Sequence, residues 1–144
     1  MRRCCTAVLL RQFPPVLPIT NPALPPPRMP PPVRLKLLFV CGKNQWRSPT
    51  GEALYRDDPR VEVRSAGVSP ESRRRVTARD LAWADLVLTM ERKQTERLRQ
   101  QFPDLEEWPE IRCLDIPDHY HFMDPELVDL LRTGTEPLLH QLMS

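Results

Sequence analysis

Leu35-Lys-Leu-Leu-Phe-Val-Cys-Gly-Lys-Asn-Gln-Trp-Arg-Ser-Pro49 is the stretch on which the fold turns. Its first six residues, Leu35–Val40, are apolar but for one lysine and read as a buried strand. The residues after it, Pro49 to about Arg56, read as a helix with Ser48 as N-cap and Pro49 at the first helical position. Strand, tight loop and helix N-terminus in that order make an anion cradle. The N–H groups of the loop and first turn have no partner inside the helix, and the helix dipole adds partial positive charge. Cys41 stands at the base of this cradle and Arg47 at its rim. Spacing alone does not make the pattern, because Cys5 and Arg11 stand equally far apart. That pair lacks the loop glycine, the serine after the arginine and the following helix start.

The residue types suit attack on phosphorus. A helix N-terminus and a nearby arginine favour the thiolate over the thiol, and the Ser48 hydroxyl can donate to the sulfur. Arg47 offers a planar fork for two phosphoryl oxygens. The phosphate-binding set is expected to be Gly42, Lys43, Asn44, Gln45, Trp46, Arg47 and Ser48. Charge spreads over equatorial oxygens in the transition state, so preorganised donors supply most of the catalysis. This chemistry calls for no metal and no cofactor. The leaving oxygen needs a proton, for which Asp115 and Asp118 are candidates. Asp118 is preferred, because it follows Pro117 in a loop while Asp115 falls within a strand-like segment. Tyr120 and His121 are placed to line the mouth of the site or to pack as ordinary loop residues.

Outward from this centre, strands and helices alternate. Further strands are expected at Val61–Ser65, Asp85–Thr89 and Ile111–Ile116. Helices are expected from the Thr77 N-cap to Ala82, from Glu91 to Phe102, and from Asp124 onward with Pro125 first, interrupted at Gly134. This order predicts a single α/β domain, a four-stranded parallel sheet with helices on both faces. Ligands of such sheets bind outside the carboxyl ends of the strands. Cys41 after the first strand and Asp118 after the fourth therefore belong to the same edge.

Composition divides the chain. Ten of its 18 prolines lie between Phe13 and Pro32, and residues 1–33 carry four arginines and no acid. Residues 1–33 read as a disordered Pro-rich extension, and residues 34–144 as the domain. The domain holds 17 basic and 19 acidic residues, so charge gives no argument for nucleic-acid binding. No run suits a membrane span. Cys41 and Cys113 in the body are not a disulfide framework, and a free thiol suits a reducing cytoplasm. Oligomeric state is not legible.

Taken together, these motifs resemble the low-molecular-weight protein tyrosine phosphatase family. The resemblance rests on Val40, Cys41, Asn44, Arg47, Ser48, Pro49 and Glu52, on Ser65-Ala-Gly67, on Met90-Glu91, and on Asp118 with Tyr120. It covers about residues 35–142. It implies a flavodoxin-like fold and a cysteinyl-phosphate intermediate, with Cys41 as nucleophile, Arg47 as clamp and Asp118 as acid, then base. It also implies that Asn44 braces the loop through Ser65, that Ser48 supports the thiolate, and that the substrate is a phosphorylated protein or small phosphomonoester. The chain departs from the family at Trp46, where a second cysteine is common, and at Gly51, where alanine is usual. The connection from Gly67 to Thr77 is shorter than the family's and carries Arg73-Arg-Arg75 instead of an aromatic wall, a run that reads either as a solvated loop or as an attraction for acidic phosphosubstrates. An arsenate reductase and a non-catalytic phosphate- or phosphopeptide-binding module are the alternatives.

Overall fold

The structure, a computed structural model, describes residues 34–143. The Pro-rich extension, with Cys4 and Cys5, lies outside the described residues. The elements run β1 (Leu35–Cys41), α1 (Arg47–Tyr55), β2 (Val61–Gly67), α2 (Ala78–Trp83), β3 (Leu86–Thr89), α3 (Arg92–Gln101), β4 (Glu110–Cys113) and α4 (Pro125–Met143). The four strands form one sheet in the order β2-β1-β3-β4, every pairing parallel. The predicted α/β architecture is the one observed.

The alternation of β1 builds both faces. Leu37, Phe39 and Cys41 point into one core with Tyr55 of α1 and Leu127, Leu131 and Leu139 of α4. Leu38 and Val40 point into the other with Leu81 of α2 and Leu98 of α3. Because β1 is covered on both sides, its apolar run is nearly continuous. Each of these fully buried leucines contributes about 1.5–3 kcal/mol relative to an exposed one. Cys41 is the last residue of the central strand and a member of the first core.

Three local expectations change. Helix α1 starts at Arg47, with Trp46 at the N-cap, so Ser48 lies inside the first turn and its hydroxyl is free for other work. The fourth strand ends at Cys113, not Ile116: Asp115 takes a positive φ of 56° and turns the chain out of the ladder. Gly134 does not interrupt α4, which is continuous from Pro125 to Met143. A Cβ at Gly134 would approach Leu114 Cδ2 to 2.8 Å, so the glycine admits a close neighbour rather than breaking the helix. Pro137 is also carried within α4. Its missing N–H would have bonded the carbonyl of Thr133, and both residues are exposed, so water can take that carbonyl. Gly51 has a packing reason too. A Cβ there would meet the Phe39 ring at 2.8 Å, so α1 sits directly on the central strand. The Thr77 cap of α2 is present as expected, with Asp80 completing a capping box.

Candidate active site

Residues 41–48 curl around the sulfur of Cys41. The backbone N–H of Asn44 donates to Sγ at 3.2 Å, and the Ser48 hydroxyl lies 2.9 Å from it. Ser48 also reaches the Ala66 carbonyl at 3.3 Å, which seats it under the loop. The curl requires a left-handed residue at Asn44, with φ 56°. Asparagine is among the few non-glycine types that adopt it readily. Its side chain is fixed from below: Ser65 donates to Glu52 Oε1 (2.5 Å) and lies 3.3 Å from Asn44 Oδ1.

The carbonyls of the loop are drawn away from the sulfur. Those of Cys41, Gly42 and Lys43 accept from the backbone N–H groups of Val68 (3.0 Å), Ser69 (2.8 Å) and Arg73 (3.1 Å). Ser72 Oγ adds a second bond to the Gly42 carbonyl at 3.1 Å. The short connection after β2 is thus a brace for the loop. Arg74 anchors that brace, giving one nitrogen to the Ser65 carbonyl (2.6 Å) and another to Asp80 (2.5 Å). With the carbonyls occupied outside, the N–H groups of Lys43, Gln45, Trp46, Arg47 and Ser48 have no acceptor among the described residues. Helix α1 makes its first bond only at Thr50, to the Trp46 carbonyl at 3.0 Å. Free donors at a helix start are what an anion needs.

Arg47 is 4% exposed, a buried charge that must be compensated. Its Nη1 donates to Glu91 Oε1 and to the Ile116 carbonyl, both at 2.8 Å. Pinning Nη1 leaves the Nε–Nη2 edge for the cavity, and Nε lies 3.6 Å from Asp118 Oδ1. Glu91 is held in turn by Gln94. The Gln94 amide oxygen accepts from the N–H groups of Met90 and Glu91, and its nitrogen donates to Glu91 Oε1 at 3.3 Å.

A cavity of about 430 Å³ opens above the sulfur. Cys41, Gly42, Lys43, Gln45, Trp46 and Arg47 line it from the loop, and Asp118 from across the sheet edge. Helix α3 adds Gln94 and Arg97. Asn44, Ser48 and Ser65 lie behind this lining and support it. Asp115 does not line the cavity. It is exposed, and it accepts a long bond from the Cys113 thiol. The sequence reading puts it within a strand, whereas it lies beyond β4 with its side chain against Cys113. Burial is the first cause that raises the Cys113 thiol above its usual range. Tyr120 is also absent from the lining: it is buried in the core and bonded to Glu126, which pushes its hydroxyl up to about 12. The aromatic at the mouth is Trp46, 40% exposed, with the His121 ring edge-on at 4.9 Å.

The sequence assigns no role to Glu91 beyond the family pattern, none to Gln94 or Ser69–Ser72, and no bracing role to Arg73 and Arg74. Met90-Glu91 carried a weak signal, as part of the family pattern. Among the described residues no cluster of three or more His, Cys, Asp or Glu could hold a metal, and no helix is long and apolar enough to cross a membrane.

No family model and no curated protein matches this sequence. Solved structures match it over most of their own length. One is SP-PTP, a low molecular weight protein tyrosine phosphatase from Streptococcus pyogenes: 20% identity, 76% of this chain and 94% of that one covered, TM-score 0.63. Another is Wzb from Vibrio vulnificus, in complex with benzylphosphonate: 24% identity, 76% and 99% covered, TM-score 0.60. A third is the YwlE arginine phosphatase from Geobacillus stearothermophilus: 24% identity, 76% and 93% covered, TM-score 0.56. These likenesses establish a shared fold, the one that the sequence resemblance implied.

Proposed function

We propose that this chain, which has the fold of the low-molecular-weight protein tyrosine phosphatases, hydrolyses phosphomonoesters through a cysteinyl-phosphate intermediate. The supporting observation is the placement of Cys41 Sγ beneath a ring of unaccepted N–H groups, with Arg47 and Asp118 lining the same cavity. The phosphoryl oxygens lie among the loop N–H groups and the Nε–Nη2 edge of Arg47. The sulfur attacks phosphorus in line with the leaving oxygen. An S–P bond forms, the P–O bond breaks, and Asp118 gives its proton to the departing oxygen. Water then attacks phosphorus, Asp118 takes a proton from that water, and the S–P bond breaks to release phosphate. The Ser48 hydroxyl, 2.9 Å from the sulfur, stabilises the thiolate as attacking and leaving group. The donors are already in place, so little reorganisation is needed as charge develops.

The Trp46 ring at the mouth favours an aryl leaving group, and phosphotyrosine in a protein is the aryl ester that this reading takes as substrate. A thiol relay of the arsenate reductase type would draw on Cys113 among the described residues. That thiol lies against Asp115, outside the cavity lining. The test is turnover of an aryl phosphate in metal-chelated buffer, with vanadate as inhibitor and acid-quench trapping of phosphate on the protein. Burst labelling that maps to Cys41 supports the reading. Turnover without labelling, or no turnover, removes it.

A further inference from the structure

A second cavity, of about 300 Å³, lies on the other side of the phosphate loop, lined by Asn44, Pro49, Arg56, Arg73, Arg74 and Phe122. The basic run 73–75 is not one functional unit. Arg74 is consumed by Ser65 and Asp80. Arg73 is fixed through its backbone to the Lys43 carbonyl, but its side chain has no ion pair or hydrogen bond among the described residues. The same holds for Arg56, at the end of α1. Glu52 also faces this cavity; its carboxylate accepts from Ser65 at 2.5 Å and keeps its negative charge, which offsets one of the two free arginines. Two exposed, unpaired guanidinium groups thus face one concavity. Phe122, 52% exposed, adds an apolar wall from the loop that carries Asp118. Asn44 lines this cavity while its neighbours Lys43 and Gln45 line the one over Cys41, so the two cavities share the phosphate loop.

We propose that this second cavity is a docking subsite for acidic side chains flanking the phosphorylated residue of a protein substrate, held by Arg56 and Arg73. The proposal rests on the phosphatase reading above. A peptide whose phosphoryl group enters the first cavity runs over Gln45 and Trp46, and its neighbouring residues reach the second. A carboxylate there finds two guanidinium donors that give up no existing partner, the arrangement in which charge-assisted bonds contribute most. The shortened connection after β2 delivers Arg73 to this place: in bracing Lys43, it presents the next side chain beside the loop.

The experiment compares two phosphotyrosine peptides of matched length, one with glutamates and one with alanines beside the phosphotyrosine, on the full chain. Wild type is expected to have a KM for the acidic peptide about tenfold lower, at equal kcat. Arg56→Ala/Arg73→Ala is expected to erase that difference; position 73 keeps the backbone N–H that braces Lys43, and each peptide KM is read against the variant's own aryl phosphate turnover. Arg79→Ala/Arg99→Ala removes the same charge from other faces and is expected to preserve the preference. Equal KM values for the two peptides in wild type, or loss of preference in both double variants alike, would overturn the subsite. Binding of both peptides to Cys41→Ser, read by fluorescence anisotropy, asks the same question without turnover. An acidic preference that survives in a chain with no aryl phosphatase activity would keep the subsite and remove the enzyme.

Discussion

Two loops meet over Cys41, and they are built in opposite ways. Residues 41–48 are fastened at almost every point: carbonyls to the brace, Asn44 and Ser48 from beneath, Arg47 to Glu91 and Ile116. Residues 117–123 are mostly exposed; the Asp118 side chain is 64% exposed and faces Arg47 Nε at 3.6 Å. The half that would bind phosphoryl oxygens is rigid before substrate arrives. The half that would move the proton is accessible to water, as a group that must both donate to an alcohol and activate water requires. The fastened loop should therefore govern whether the reaction happens, and the open loop how it depends on the leaving group.

That division can be broken at several points. Cys41→Ser is expected to lower kcat for an aryl phosphate by at least about 10³-fold, while phosphate still binds in a competition assay. Turnover close to wild type would remove position 41 from the chemistry. Asp118→Asn is expected to lower kcat by about 10²-fold for alkyl or weakly activated aryl phosphates and far less for a good leaving group. A uniform loss across the leaving-group series would show that the open loop does more than transfer protons. Glu91→Gln keeps the shape but loosens Arg47, and kcat/KM is expected to fall about tenfold with vanadate affinity falling in parallel. An unchanged vanadate affinity would mean that the guanidinium is aimed without Glu91.

The mildest effect belongs to the far end of the molecule. There Arg60 joins Asp58 (2.7 Å) to Glu136 (2.9 Å), and Tyr55 donates to the same glutamate at 2.7 Å. The Arg60 hydrogen bonds are the first cause holding both carboxyls below their usual values. A folded-state pKa depressed in this way gives stability that is present at neutral pH and lost as pH falls through the folded value. Wild-type Tm should thus drop more steeply below about pH 4 than that of Arg60→Ala, by a small margin because the arginine is partly exposed. Parallel curves would show that the network adds nothing, and activity should follow neither.

What the sequence made legible was local. The strand, the loop glycine and the helix start around Cys41 are adjacent in the chain, and N–H groups at a helix N-terminus point the same way in any fold. That the sheet is parallel and covered on both faces followed from alternation of elements. What failed depended on distant partners. Ser-Pro before a helix suggests a cap, but the Ser48 hydroxyl is claimed by a sulfur seven residues back and a carbonyl on β2. Gly134 looks like a breaker, and only Leu114 from another element shows why it is small. Glu91 finds Arg47 across 44 residues of chain, and Tyr120 leaves the mouth because Glu126 and the core hold it. The shortened connection after β2, read as a missing wall, is a brace, and that role rests on three backbone bonds that carry no residue signature together with Ser72 and Arg74, whose bonds to Gly42 and Ser65 reach other segments.

Ile116 is moored twice, its N–H to the Met90 carbonyl at 2.8 Å and its own carbonyl to Arg47. At the other end Met123 is moored to Thr50, whose hydroxyl also grips the Trp46 carbonyl at 2.6 Å. The segment between is tied at both ends and again at Tyr120, which the core and Glu126 hold, so it is not a flap on a single hinge. Asp118 stands two residues from the nearer end, a leash of about 7 Å. However far the crown of the span at His121 and Phe122 sways, the backbone of Asp118 stays within that leash of Ile116, whose carbonyl ties the guanidinium.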